Sequence, residues 1–289
     1  MIAATNELRY AERSPRNVLD LAVPRSATKP PLVVYIHGGA FRMGDKSDGP
    51  GERRVLLDAG FAVASVNYRY STEAIWPAQL DDLRDAFAFL RSNADEFHFD
   101  GGRVASFGPS AGGHLSATCG IAFAASPQTH LTASVVWFPP VDFTAMDSDI
   151  ESTGVARATG RNDLPGSPES TLIGAPVADR PDLARAAGPI AQLEALPPGA
   201  FLPSFLIMHG GRDPFIAAEQ SRRLYRALAS FGGSPRLELD VLPDGTHGGG
   251  DFERPETMAR VVAFLEDCFQ LRKRANPEKK RRRAKQHGK

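Results

Sequence analysis

Short apolar runs rich in β-branched residues alternate along this sequence with longer segments of helical periodicity. Residues 32–36 and 61–66 have the composition of buried strands, and 79–92 carries leucine and phenylalanine on one stripe of an amphipathic helix. The same criteria predict further strands at 103–107, 133–138, 204–208 and 236–242 and further helices at 111–124, 215–231 and 255–269. Because strands separated by helices form parallel βαβ units, we predict an α/β fold with a mostly parallel central sheet and helices on both faces.

Composition excludes several classes of protein. With 42% hydrophobic and 24% charged residues, the chain can bury a sizeable core and is not disordered overall. No apolar run approaches the ~18 residues of a membrane helix, and the first residues lack the apolar segment of a secretory signal. We therefore expect a soluble, cytoplasmic protein.

The sequence contains none of the common signatures of bound metals or nucleotide cofactors. Its two cysteines, Cys119 and Cys268, cannot form a disulfide framework, and no cluster of Cys and His has zinc-site spacing. Neither a G-x-G-x-x-G fingerprint nor a P-loop is present. We expect neither a metal nor an organic cofactor.

Charge and periodicity also predict the domain organisation. Residues 272–289 carry ten Lys or Arg and one acidic residue, so this tail has a net charge of +9 and residues 1–271 have −9, although the whole chain is neutral. Such a run is typical of a disordered extension, and binding to nucleic acid is the less favoured interpretation. Residues 142–203 are rich in Pro, Gly, Asp and Ser, with weak helical patterns such as Pro181–Ala187. We predict one domain over 1–271 with an irregular lid insertion at 142–203, because long irregular segments in compact domains are usually functional.

Chemistry is expected just after the strands, because parallel sheets bind ligands at the carboxyl ends of their strands. The predicted strand 103–107 runs into Gly108-Pro109-Ser110-Ala111-Gly112, a G-x-S-x-G motif followed directly by a predicted helix. In this context the motif is typical of a nucleophile elbow, in which glycines two residues on either side make room for a sharp turn. The alternative is a glycine-rich turn in which Ser110 merely caps the helix.

A serine hydroxyl needs a histidine base, which is itself oriented by a carboxylate. In hydrolases with this strand–motif–helix element, the acid and then the histidine follow the serine along the chain. His247 and His287 satisfy this order, and because His287 falls in the basic tail, His247 is the predicted base. Asp213, the first carboxylate after the strand 204–208, is the predicted acid. It also has the position of a helix N-cap, and Asp142 is the alternative acid.

The remaining requirement is a set of N–H donors for the negative charge that develops on the substrate oxygen. The segment His37-Gly38-Gly39-Ala40-Phe41 follows the predicted strand 32–36, where esterases with this element carry a glycine-rich loop. We predict that the N–H groups of Gly39, Ala40 and Ala111 form an oxyanion hole. His37 is interpreted as a structural residue that bonds to the backbone of this loop.

These segments together make the chain similar to a known family. It resembles the α/β-hydrolase esterases of the hormone-sensitive-lipase and bifunctional feruloyl and acetylxylan esterase (BD-FAE-like) type over about residues 31–270. The matching segments are HGGAF (37–41), VNYRYSTEAIWPAQLDDL (66–83), FGPSAGGHLSA (107–117), ESTLIGAPVADRPDLARAAGPI (169–190), FLIMHGGRDPFI (205–216) and PDGTHGGGDFERPE (243–256). The resemblance implies the same site: nucleophile Ser110, acid Asp213, base His247 and oxyanion-hole donors Gly39, Ala40 and Ala111.

The chain departs from the family pattern at three places. Pro109 precedes the serine, and we expect the geometry to survive because the last position of a strand can lose its N–H donor. Ala40 replaces the third glycine of an HGGG loop, which keeps the N–H but narrows the space beside it. The 36 residues before the loop are fewer than in the N-terminal cap of hormone-sensitive-lipase-like members. This favours the BD-FAE-like branch, with 142–203 covering the site.

The resemblance and the motifs together imply a serine hydrolase that cleaves short-chain carboxylic esters of the acetyl-ester type through an acyl-enzyme on Ser110. Its expected partner is a small-molecule ester. Two alternatives stay open. One is an amidase or arylformamidase that uses the same triad, and the other is a non-catalytic hydrolase scaffold whose basic tail binds an anionic partner.

Overall fold

The computed structural model of the chain describes residues 2–26, 28–126 and 128–270. The predicted tail 272–289 lies outside the described residues. Among the described residues, no helix combines the length and the apolar character that crossing a membrane requires.

The architecture is built on one eight-stranded sheet with the order β1-β2-β4-β3-β5-β6-β7-β8. The two N-terminal strands are antiparallel to their neighbours, and all pairings from β4 to β8 are parallel. This confirms the predicted mostly parallel α/β fold. The strands are β1 Ile2–Arg9, β2 Val18–Pro24, β3 Pro31–Ile36, β4 Ala62–Val66, β5 Asp100–Pro109, β6 Ala133–Trp137, β7 Ser204–Gly210 and β8 Leu237–Leu242.

Helices cover both faces of the sheet. Successive side chains of a strand point to opposite faces of the sheet, so each strand contributes to both cores. In β3, Val33 and Tyr35 pack in the core beneath α1 and α9. Val34 and Ile36 pack in the core beneath α2 and α3 on the other face. The helices are α1 Pro50–Asp58, α2 Ala78–Ser92, α3 Ala111–Ala122, α4 Met146–Thr153, α5 Pro168–Ile173, α6 Pro181–Ala187, α7 Pro189–Glu194, α8 Ala218–Phe231 and α9 Pro255–Cys268.

Most predicted elements lie where the periodicity placed them, with three differences. The strands β1 and β2 and the helix α1 were not predicted. The helix predicted at 215–231 begins only at Ala218, because residues 213–216 form a separate turn. The segment 142–203 is less irregular than expected, since it contains the four short helices α4 to α7.

Buried carboxylates hold the segment 142–203 in place. The Asp147 carboxylate accepts hydrogen bonds from the backbone N–H groups of Asn162 and Asp163 at 2.9 and 3.0 Å and also pairs with Arg157. Asp149, at the other end of α4's first turn, receives two hydrogen bonds from Arg223 of α8 at 2.8 and 2.7 Å. Because buried charges are tolerated when they are paired, these contacts fix the loop after α4 and attach α4 to the main domain.

Glycines allow α3 to approach the sheet at backbone distance. A Cβ on Gly112 would lie 2.0 Å from the carbonyl oxygen of Ile36, and one on Gly108 would lie 2.2 Å from the carbonyl oxygen of Gly112. A Cβ on Gly113 would lie 2.5 Å from the carbonyl oxygen of Trp137. Any side chain at these positions would therefore push the start of α3 away from β3 and β6.

We expect Gly112→Ala to lower the free energy of unfolding by at least about 2 kcal/mol, because the added methyl overlaps backbone that cannot move independently. Urea unfolding followed by tryptophan fluorescence measures this effect. Gly51→Ala is the matched control, because its Cβ meets no atom within 4 Å, and it is expected to leave stability unchanged or raise it by up to about 1 kcal/mol. Equal unfolding midpoints for the two variants would contradict the packing argument.

Candidate active site

The strand β5 and the helix α3 meet in a strained turn that exposes Ser110. Ser110 has φ 56° and ψ −123°, a backbone conformation that is rare outside glycine and is typical of functional turns. Its N–H donates to the carbonyl oxygen of Trp137 at 2.9 Å, which continues the β5–β6 ladder one residue past Pro109. Pro109 is the last residue of β5, so its missing donor is tolerated, as the sequence predicted.

The side chains of Ser110, His247 and Asp213 form one chain of hydrogen bonds. The Ser110 hydroxyl lies 2.9 Å from Nε2 of His247, and Nδ1 of His247 lies 2.7 Å from Oδ2 of Asp213. Although Ser110 occupies the N-cap position of α3, its side chain makes no capping hydrogen bond. Ser110 follows β5, Asp213 follows β7, and His247 lies in the loop after β8. The structure thus brings together residues that are 103 and 34 positions apart in the sequence.

The environment of Asp213 keeps its carboxylate charged. Oδ1 accepts hydrogen bonds from the backbone N–H groups of Phe215 and Ile216 at 2.8 and 2.9 Å, so Asp213 caps this turn, while the N-cap position of α8 belongs to Ala217. Burial alone would raise the pKa of Asp213, but the hydrogen bond from His247 and the nearby His209 ring outweigh it and hold the pKa well below its ordinary value.

His209 is a site residue whose role the sequence does not reveal. It is fully buried on β7, with Nε2 donating to the carbonyl oxygen of Ile216 at 2.9 Å and lying 3.6 Å from Oδ2 of Asp213. Its Nδ1 accepts from the Ser221 hydroxyl at 2.7 Å. His209 therefore braces the turn that presents Asp213. Its position four residues before Asp213 is the one signal in the sequence.

The other candidates from the sequence lie elsewhere. The Asp142 carboxylate bonds to the N–H and hydroxyl of Thr144 at 3.1 and 2.6 Å and lies 3.7 Å from Arg223, so it braces the start of the segment 142–203 instead of reaching His247. His287 lies outside the described residues.

The loop after β3 places backbone N–H groups beside Ser110. Gly39, Ala40 and Phe41 have φ of 105°, 52° and 60°, and a Cβ on Gly39 would lie 2.2 Å from the carbonyl oxygen of Met43. Within the described residues, the N–H groups of Gly39, Ala40 and Ala111 donate to no other group of the protein. Gly39, Ala40, Ser110 and Ala111 all line one cavity, so these donors are positioned to meet a ligand.

His37 anchors this loop in the manner expected from the sequence. Its Nδ1 donates to the carbonyl oxygen of Gly38 at 2.7 Å, its Nε2 accepts from Arg16 at 3.3 Å, and its ring stacks on Tyr68 with a centroid distance of 4.4 Å. Burial lowers the pKa of His37 to about 4. His37 is thus a neutral structural group that is fully buried below the loop.

The cavity above Ser110 has a volume of about 770 Å³, which is the size range of small-molecule sites. Phe138 and Phe215 flank the His247 ring at centroid distances of 4.5 and 5.1 Å. Residues 159–162 and 164–169 form another part of the cavity wall. Arg42 donates to the carbonyl oxygen of Gly166 at 3.0 Å, which ties this wall to the loop after β3.

The sheet order, the elbow after β5 and the position of each site residue at a strand end define the α/β-hydrolase fold. Comparison with known proteins identifies the family. The chain matches the BD-FAE family over residues 19–228 and belongs to it. This result confirms the resemblance found in the sequence.

Individual relatives agree with this assignment. The chain is 30% identical over 228 residues to esterase LipC and 27% identical over 273 residues to esterase LipQ, both of Mycobacterium tuberculosis. These matches cover 76% and 90% of this chain but 54% and 60% of the relatives, so the chain spans little more than half of their length. A truncated carbohydrate esterase from gut microbiota superposes with a TM-score of 0.77 and 28% identity, covering 92% of this chain and 96% of the other.

A buried histidine near the elbow makes stability depend on pH. His114 of α3 is fully buried, its Nδ1 donates to the carbonyl oxygen of Pro140 at 2.9 Å, and burial lowers its pKa from 6.5 to about 4. As the pH falls below 6.5, the unfolded chain binds a proton at this ring before the folded chain does. The free energy of unfolding therefore decreases as the pH falls from 7 toward 4.

We expect His114→Asn to reduce this pH dependence, because asparagine keeps a donor for Pro140 but does not titrate. Between pH 7 and pH 5, the wild-type protein should lose about 2 kcal/mol more of its free energy of unfolding than the variant does. Urea unfolding at both pH values measures the two losses. Equal losses in the two proteins would show that the His114 ring has the same pKa in the folded and unfolded chains, which would contradict the effect of burial.

Proposed function

We propose that this protein is a serine esterase that cleaves short-chain carboxylic esters, of the acetyl-ester type, through an acyl-enzyme on Ser110. The observation that carries the proposal is the continuous hydrogen-bond chain from the Ser110 hydroxyl through His247 to Asp213, which opens onto the cavity beside unpaired backbone N–H groups. This arrangement contains the nucleophile, base, acid and oxyanion donors that acyl transfer requires.

In the first half-reaction, Nε2 of His247 takes the proton of the Ser110 hydroxyl as the oxygen attacks the ester carbonyl carbon. The carbonyl oxygen becomes an oxyanion that the N–H groups of Gly39, Ala40 and Ala111 stabilise. Asp213 accepts the Nδ1 proton of His247 in a hydrogen bond and stabilises the imidazolium that forms. Because its pKa is held low, Asp213 stays a carboxylate through this step.

The tetrahedral intermediate then collapses. His247 returns its proton to the leaving oxygen, the ester C–O bond breaks, and the alcohol departs while the acyl group stays on Ser110. A water molecule attacks the acyl-enzyme with the same base and the same oxyanion donors, which releases the acid and regenerates the serine.

The relatives support this activity, because LipC and LipQ are named esterases and the similar solved structure is named a carbohydrate esterase. We further propose that residues 1–271 form the catalytic domain and that 142–203 serves as its lid. In support, residues 159–162 and 164–169 line the same cavity as His247, and the paired carboxylates of α4 hold that segment in place.

We expect Ser110→Ala to lower kcat/KM for p-nitrophenyl acetate by about 10³-fold or more, because it removes the nucleophile. Asp213→Asn should have an effect of similar order, since it leaves His247 without its acid. Initial rates followed by nitrophenolate absorbance measure both. Ser148→Ala, at an exposed serine of α4, is the matched control and should retain wild-type rates.

Two outcomes would contradict the proposal. One is a folded wild-type protein that hydrolyses p-nitrophenyl acetate no faster than Ser110→Ala. The other is a preference for amides, shown by faster turnover of an N-formyl arylamine than of the corresponding aryl acetate, which would identify an amidase with the same triad.

We expect Gly39→Ala to lower kcat by about 10²- to 10³-fold while KM changes little, because the displaced N–H groups of the loop act on the transition state. The physical reason is that the new Cβ would lie only 2.2 Å from the carbonyl oxygen of Met43, at a φ of 105° that disfavours a side chain. Steady-state kinetics with p-nitrophenyl acetate measures kcat and KM separately, and Gly51→Ala again serves as control. A change confined to KM would mean that the loop binds the ester without stabilising its oxyanion.

A further inference from the structure

The wall of the cavity formed by residues 159–162 and 164–169 contains a buried carboxyl group with no assigned role. Glu169 lies in the first turn of α5, is only 4% exposed, and lines the same cavity as Ser110 and His247. The cap of α5 does not involve its side chain, since the Ser167 hydroxyl accepts the N–H of Ser170 at 3.0 Å. Glu169 therefore lies in the wall of the active-site cavity without serving the helix cap.

The protein satisfies this carboxyl group only in part. Among the described residues, no group donates a hydrogen bond to Oε2 of Glu169, although the backbone N–H of Glu169 itself acts on the carboxylate and lowers its pKa. Asp147, the nearby acid, is already occupied by Arg157 and two backbone N–H groups. Arg42 acts on Glu169 from farther away but donates to the carbonyl oxygen of Gly166.

A buried carboxyl oxygen without a hydrogen-bond partner is costly to the folded state. Burial raises the pKa of Glu169 to about 7, so the charged and uncharged forms coexist near neutral pH. A partner from outside the chain would remove the cost if it entered the cavity with a suitable polar group.

We propose that Glu169 is a specificity-determining residue that hydrogen-bonds a hydroxyl group of the ester substrate bound above Ser110. This inference rests on the proposed esterase function and extends it to the substrate class: esters that carry a hydroxyl group within reach of the 159–169 wall. An ester without such a group leaves Glu169 unpaired and binds less well.

Two observations favour a hydroxyl group over an ammonium group. A hydroxyl group donates to a carboxylate and accepts from a carboxylic acid, so it suits both forms of Glu169, whereas an ammonium group can only donate. In addition, the described lining of the cavity carries no excess of negative charge that would favour a cation, since Arg42 and Arg161 line it together with the acids Glu52 and Glu169.

The test uses two variants. Glu169→Met replaces the carboxyl group with an apolar side chain of similar length, which cannot hydrogen-bond a hydroxyl group. Glu169→Gln keeps a side chain that can. Two matched substrate pairs place a hydroxyl group on either side of the ester: propyl acetate with glycerol 1-acetate, and p-nitrophenyl butyrate with p-nitrophenyl 3-hydroxybutyrate. For at least one pair, the wild-type protein should prefer the hydroxylated member, and Glu169→Met should reduce that preference in kcat/KM by about tenfold or more.

The expected loss lies in KM, because the hydrogen bond forms in the bound substrate and persists in the transition state. Glu169→Gln should keep the preference within about threefold, and the rate of each variant on p-nitrophenyl acetate, which carries no hydroxyl group, is the reference for its losses on the other esters. Glu96→Met, at an exposed glutamate remote from the cavity in sequence, controls for the substitution itself. Thermal unfolding confirms that each variant is folded.

The outcomes separate this inference from the proposed function. An unchanged preference in Glu169→Met for both pairs, with normal hydrolysis of p-nitrophenyl acetate, would overturn the role of Glu169 and leave the esterase function standing. An equal loss on every substrate in both Glu169 variants would assign Glu169 a structural role and also overturn it. A wild-type protein inactive on all the esters would overturn the proposed function, and this inference with it.

Discussion

The contact between the β5–α3 turn and the carbonyl oxygens of neighbouring strands is the constraint on which the site depends. Gly112 lies against the carbonyl oxygen of Ile36 and Gly113 against that of Trp137, at distances that admit no Cβ. This approach holds Ser110 at a positive φ and directs its side chain out of the helix cap toward His247. A strained backbone of this kind persists only when its surroundings determine it fully. Here the surroundings are the parallel strands on either side of β5.

The electrostatic arrangement follows from the same sheet. Asp213 is a buried carboxylate whose charge is supported by hydrogen bonds from two backbone N–H groups and from His247. His37 and His114 are buried with low pKa values and take part only as hydrogen-bonding groups. Glu169 differs from Asp213, because one of its carboxyl oxygens, Oε2, is buried in the cavity wall without a hydrogen-bond partner. The fold thus satisfies the acid that orients His247 and leaves one oxygen of the cavity-wall acid unsatisfied.

The sequence was sufficient to predict the parallel sheet and the residues that the structure brings together, because both depend on local signals. β-branched runs identify the parallel strands, and Ser110, Asp213 and His247 each follow a predicted strand. The first strands were missed because β1 (IAATNELR) has too few apolar residues to stand out and pairs only at the sheet edge. Glu169 was missed for another reason. A glutamate in a Pro- and Ser-rich stretch is ordinarily solvated, and its burial arises from tertiary packing that local periodicity does not encode.

The central claim is that Ser110 is a nucleophile activated by His247 and Asp213, and covalent labelling tests it most directly. A fluorophosphonate reacts with activated serines and leaves a stable adduct that mass spectrometry of proteolytic fragments locates. We expect a single adduct, on the fragment that contains Ser110, and much slower labelling when Asp213 is replaced by asparagine. A folded protein that stays unlabelled, or one labelled at another residue, would contradict it.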